Sequence, residues 1–212
     1  MTPDLSQLAL AYGRLEVRLH DAIDVMSQMH CAQCPTPCCE SRHCSDIAES
    51  PWLLSVAKAM GADIPAGDSG EGLSFLGARG CTLPAGRPIQ CTAYVCDRLS
   101  LTLGDPVDAF LYHALSSVLP FVVRRIHGQL DLTDLEDPDD LTAGRRGRLL
   151  RRIDTAHQCL DAVAAVRADR TAGRAPAADD LLLLARTFPF AARHVRFPGE
   201  APDVSRALRP GM

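Results

Sequence analysis

The run from Leu5 to Cys44, LSQLALAYGRLEVRLHDAIDVMSQMHCAQCPTPCCESRHC, changes character partway along. Up to Met29, the residues Leu5, Leu8, Tyr12, Leu15, Leu19, Ile23, Met26 and Met29 recur at spacings of three and four. That is the apolar stripe of a helix with one buried face. The spacing predicts a helix over residues 3–29, with Thr2 as its cap and Pro3 in its first turn. Gly13 interrupts the pattern at some cost, and Ala22 and Val25 broaden the apolar face toward the C-terminal end. From His30 onward the period stops. Pro35 and Pro37 bar a regular helix, and HCAQCPTPCCESRHC places five cysteines within fourteen residues.

Further along the chain, Ser50 and Pro51 read as a cap and first turn, Trp52 to Met60 as a short helix, and Gly61 as its stop. Leu73–Leu76 and Cys81–Leu83 suggest a two-stranded ribbon. Pro88 opens a short helix over 88–97. Gly104, Asp105 and Pro106 open a long one with apolar positions from Val107 to Ile126, which Pro120 kinks or divides. An acidic linker spans Asp131 to Asp140. A further long helix follows, carrying Leu149, Leu150, Ile153, Ala156, Leu160 and Val163, with Arg145, Arg146, Arg148, Arg151 and Arg152 near its start. Taken alone, that arginine block is suited to attract phosphate; beside the acidic linker it reads rather as a solvated helix face. Asp179 and Asp180 start a last short helix. Phe188, Phe190, Val195 and Phe197 pack the end back onto the core, and SRALRPGM frays.

The fold class that follows is mainly α: a helical scaffold with a cysteine-rich metal-binding knuckle and at most a short β ribbon. Residues 1–30 form the N-terminal amphipathic helix, 31–100 the cysteine-cluster metal-binding region, and 101–212 a C-terminal helical region packed as one domain with the rest.

Composition narrows the function. The 212 residues include 47% hydrophobic and 23% charged types, ordinary for a globular protein. A net charge of −4 gives no general drive toward nucleic acid or an anionic membrane. The longest apolar runs are short, such as Leu181–Ala185, and the start, MTPDLSQL, has no basic and apolar leader. Both point to the cytoplasm. Of the 22 basic residues, Lys58 alone is lysine.

Nine cysteines in such a compartment ask for a reason other than disulfides. Eight of them fall between positions 31 and 96, in two groups. The first is Cys31, Cys34, Cys38, Cys39 and Cys44; the second is Cys81, Cys91 and Cys96. A CxxC pair closes a tight chelate loop. Zn²⁺ favours about four soft donors, and an iron–sulfur cluster also takes several thiolates. Eight thiolates supply two four-thiolate sites, or one cluster and other ligands. His30 and His43 read as neighbours of the thiolates, and Cys159 as a core thiol. Arg87, held extended by Pro88, either offsets thiolate charge or donates to a carbonyl.

The run CxxCxxxCC, followed by a distant cysteine and then Arg87-Pro88-x-x-Cys91, resembles the YkgJ-type family of zinc- or iron-chelating cysteine-cluster domains. The family's eight cysteines have counterparts in Cys31, Cys34, Cys38, Cys39, Cys44, Cys81, Cys91 and Cys96. The resemblance covers residues 31 to 96. The three-residue spacer between Cys34 and Cys38 departs from the usual CxxCxxCC.

The function expected is a metal-binding protein that chelates zinc or iron through clustered thiolates, the metal ion being its partner. The alternative is an iron–sulfur protein for electron transfer or redox sensing. A protein partner is left open, and neither nucleic acid nor membrane is expected. No independent catalytic activity is expected: HExxH, a phosphate loop and a nucleophilic triad are all missing. Asp21 and Asp24 read as a solvated pair.

Overall fold

The computed structural model describes residues 3–31, 47, 49–62, 64, 74–77, 80–93, 103 and 105–193. Helix α1 runs Leu5–Cys31, α2 Pro51–Ala59, α3 Gln90–Ala93, α4 Pro106–Ser116 and α5 Val118–Val123. Helix α6 runs Ala143–Thr171, α7 Ala178–Thr187 and α8 Pro189–Arg193. Two-residue strands β1 (Leu76–Gly77) and β2 (Gly80–Cys81) pair antiparallel, Leu76 opposite Cys81. The mainly helical architecture is as the sequence implies. The cysteine-rich metal-binding knuckle is corrected: among the described residues, no group of three or more His, Cys, Asp or Glu side chains could hold a metal ion.

Helix α1 begins at a reciprocal cap built on Asp4; Thr2, the expected cap, lies outside the described residues. Asp4 Oδ1 accepts the Gln7 amide at 2.7 Å and the Asp4 amide donates to Gln7 Oε1 at 3.2 Å, satisfying two donors at the helix start. Leu8, Tyr12, Leu15 and Leu19 are fully buried, whereas Val25 is 53% exposed, so the apolar face narrows toward the C-terminal end. Gly13 lets α2 come close: a Cβ there would lie 2.5 Å from Met60 Cγ. Helix α1 packs against α2 on one side and α6 on the other.

Helix α2 starts as its sequence predicts. Ser50 Oγ accepts the Leu53 amide and donates to the Thr133 carbonyl at 2.8 Å. Gly61 follows the helix at φ +82°. The strands are shorter than the expected 73–76 and 81–83 and lie nearer the turn, and the ribbon is reinforced by two bonds from Thr82 to the Phe75 carbonyl. Of the expected helix over 88–97, residues 90–93 are helical, and 94–97 lie outside the described residues.

The stretch Pro106–Val123 is long and apolar enough, by length and composition, to cross a membrane, and more than half of it is buried. It forms two helices, parted at Ser117. Pro120 explains the break, since it has no N–H to bond the carbonyl four residues back and its ring crowds that carbonyl. Asp105 caps α4, accepting from the Val107 and Asp108 amides, and also pairs with Arg170 of α6 at 2.9 Å.

The acidic stretch is packed down and is not a free linker. Two 3₁₀ turns, Leu132–Asp134 and Pro138–Asp140, bury Leu132, Leu135 and Leu141 between their charges. Helix α6 buries Leu149, Ile153, Ala156, Cys159, Leu160, Val163 and Val166. Cys159 is thus a core thiol, and burial pushes its pKa up. Phe188 is buried with its ring edge-on to Phe121 at 5.8 Å, while Phe190 is 67% exposed. Val195, Phe197 and the SRALRPGM end lie outside the described residues.

Across the α1–α6 contact, Arg18 donates to Asp161 at 2.6 Å and sits 2.8 Å from His157 Nδ1. That nitrogen accepts only in the neutral ring. Burial first, then the Arg18 charge, holds the His157 pKa below its ordinary 6.5, while Asp161 and Asp154 push it back up.

Two outcomes follow. Asp105→Ala removes the α4 cap and one Arg170 partner and should lower stability by about 1–2 kcal/mol in urea unfolding. For His157, the unfolded chain binds the proton more readily than the folded one. Stability should therefore fall as pH drops from about 6.5 through the lowered His157 value. A His157→Asn protein should show a flatter urea midpoint over that window.

Candidate functional site

The described part of the second cysteine group runs from Cys81 at the end of β2 through the turn Leu83–Pro88 to helix α3, which carries Cys91. The conformation of the turn is set by a side chain of α1. Glu16 is fully buried. Its Oε2 accepts the Gly86 amide at 2.8 Å and its Oε1 the Arg87 amide at 2.9 Å. A buried carboxylate is costly unless its charge is met by hydrogen bonds, and here both oxygens take successive backbone donors.

Gly86 is the residue the turn requires. It adopts φ +81°, and a Cβ there would lie 2.6 Å from the Leu53 carbonyl and 2.9 Å from the Ala57 amide nitrogen. The turn is thereby seated against the backbone of α2 as well as the carboxylate of α1. Leu83, Ala85 and Pro88 are buried around it.

Arg87 resolves the two roles open to it in the sequence. Its Nε and Nη2 both donate to the Leu83 carbonyl, at 2.9 and 2.5 Å. Its Nη1 lies 3.3 Å from both ring nitrogens of His20, itself 3.7 Å from Glu16 Oε1. The guanidinium therefore closes the turn on itself, acting on a carbonyl. Beyond it, Cys91 N–H bonds back to the Pro88 carbonyl, and buried Thr92 donates through Oγ1 to the Ile89 carbonyl.

Beneath the turn, Tyr12 and Trp52 meet edge to face with ring centres 5.7 Å apart. Burial and the neighbouring Glu16 charge hold the Tyr12 hydroxyl well above its usual pKa. Tyr12 Oη and Trp52 Nε1 are buried, and neither has a hydrogen-bond partner among the described residues.

Cys81 ends β2 and is half-buried; Cys91 lies in α3 and is exposed. The backbone of Cys31 ends α1. Cys34, Cys38, Cys39, Cys44 and Cys96 lie outside the described residues, as do His43 and Tyr94. Asp21 and Asp24 are exposed on α1.

The expected chemistry is corrected accordingly. A closed metal site gathers about four donors. Among the described residues no such gathering of three or more His, Cys, Asp or Glu exists. Among the described residues this overturns chelation of Zn²⁺ or iron, the iron–sulfur alternative and the metal ion as partner. Nothing among the described residues supports the protein partner left open. What orders the turn is hydrogen bonding by Glu16 and Arg87.

Glu16 is the residue that sequence reading passed over. Its signal is its position: it falls four residues after Tyr12 and three before Leu19, so the helical period puts a carboxylate inside the apolar stripe. A charged group so placed is buried only with specific partners.

No family model, no curated protein and no solved structure matches the chain.

Gly86→Ala should be among the more damaging small substitutions. It forces a side chain into left-handed backbone and into the α2 backbone, with a loss of about 2 kcal/mol or more. Chemical unfolding measures it. Gly173→Ala, also at positive φ but with nothing within 4 Å, should lose less.

Proposed function

We propose that the protein is a cytoplasmic member of the YkgJ-type family whose helical part serves as a mount, its work being to hold the Arg87-Pro88-x-x-Cys91 turn in one conformation. The observation that carries this reading is the spending of both Glu16 oxygens on the Gly86 and Arg87 amides. Apolar packing alone tolerates several registers. A buried carboxylate accepts the two donors in one arrangement, at a desolvation cost that an apolar residue would not incur. The Arg87 bonds to Leu83 and the seating of Gly86 on α2 support the same reading.

The family membership rests on the Arg87, Pro88 and Cys91 spacing together with the cysteine runs. The cytoplasmic location fits a core that keeps Cys159 as a thiol.

Amide hydrogen exchange on the full chain tests the mount. Glu16→Gln keeps the side-chain volume and leaves one acceptor oxygen in place of two. The Gly86 or Arg87 amide should lose roughly tenfold or more of its protection, in line with one buried hydrogen bond. The amides of α6 between Ile153 and Val163 should keep theirs. Unchanged protection at both turn amides would remove the basis of the proposal.

A further inference from the structure

The surface where α5 ends and α6 begins carries a concentration of arginine that the turn does not use. Arg152 of α6 reaches across to the end of α5, donating through Nη1 to the Val122 carbonyl at 3.2 Å and the Arg124 carbonyl at 2.7 Å. Its guanidinium also lies over the Phe121 ring, 5.9 Å from the centre. Arg152 is thus fixed, and it ties the backbone of Arg124 to the arginine face of α6. Arg148 stands one turn before Arg152 on that face. At 3.6 residues per turn, Arg145, Arg148, Arg151 and Arg152 occupy roughly a third of the helix circumference.

These charges are poorly compensated within the molecule. Arg124, Arg125, Arg148 and Arg151 are exposed. No ion pair joins any of the four to a carboxylate among the described residues. Burial first, and then the neighbouring Arg148 charge, lower the Arg152 pKa.

The backbone contributes a second, separate sign. Arg125 alone among the described non-glycine residues has a positive φ, 51°. The conformation is held by its amide donating to Asp131 Oδ1 at 2.9 Å. Left-handed backbone at a residue with a side chain costs free energy and tends to persist where a site needs it.

We propose that Arg124, Arg125, Arg148 and Arg152 form a binding surface for the phosphate chain of a di- or triphosphate compound. Planar guanidinium groups match phosphate oxygens two at a time, and several of them require an anion with several charges. The acidic stretch meets the patch at Asp131, whose carboxylate takes the Arg125 amide, and with the net charge of −4 it disfavours a long polyanion such as nucleic acid. The shared chemistry is the phosphate chain, either inorganic or borne by a nucleotide.

Calorimetric titration of the full chain with sodium triphosphate at low ionic strength tests this. Saturable one-to-one binding is expected. Arg148→Ala and Arg124→Ala should each weaken it roughly tenfold, the loss of about one charge-assisted contact. Arg186→Ala, which removes the same charge from the exposed face of α7, should leave it within about twofold. A parallel titration with ATP separates the sources: equal affinity assigns the phosphate chain alone, and tighter binding assigns a nucleotide. No saturable heat, equal weakening by Arg186→Ala, or saturation by a mixed-sequence oligonucleotide without binding of triphosphate would each overturn the proposal.

Discussion

The carboxylate of Glu16, sealed in the core with two backbone amides, is the constraint on which the first half of the described structure depends. A charge in that position forces its surroundings to comply. The chain must bring donors to it, and the donors it brings are those of Gly86 and Arg87, seventy and seventy-one residues away. Once they are there, Gly86 fits against the α2 backbone and the guanidinium of Arg87 folds onto Leu83. One ionised group thus fixes the relation of α1, α2 and the turn that precedes α3.

The second half is organised differently. Helix α6 is held by apolar burial along most of its length, and its polar contacts lie at the margins: Arg18 with Asp161, Arg170 with Asp105, Arg152 with the end of α5. Exposed pairs of this kind add little individually. Their effect is to set direction and register between helices that the core already holds together.

The helices were legible because apolar period and capping chemistry are local. Ser50-Pro51 and Asp105-Pro106 announce their helices in the sequence, and both perform that role. The division of the Pro106–Val123 stretch was legible from Pro120, although the break sits at Ser117 because a proline disturbs the turn before itself. The narrowing of the α1 face at Val25 was not legible, since it depends on where neighbouring helices stop. Nor was the packing of the acidic stretch, where Leu132, Leu135 and Leu141 outweigh the charges between them. The site was legible in part. Arg87 and Pro88 were marked by their motif, and the carbonyl role of Arg87 was one of two open to it. The donor-rich metal centre inferred from cysteine spacing has no counterpart among the described residues, and Cys34, Cys38, Cys39, Cys44 and Cys96 lie outside them. Glu16 was visible only as a misfit in an apolar stripe, and its partners are long-range.

The contact between α1 and α6 has a consequence for how the protein is made. Arg18 and Asp161 are 143 residues apart, and the apolar stripe of α1 is covered partly by a helix that begins at Ala143. During synthesis, the first helix leaves the ribosome long before the second of the two helices that cover it exists. At typical elongation rates of about 5–20 residues per second, the delay is on the order of ten seconds. Over that interval the part of the α1 stripe that α6 covers faces water or a chaperone. It is closed only when most of the protein has been translated.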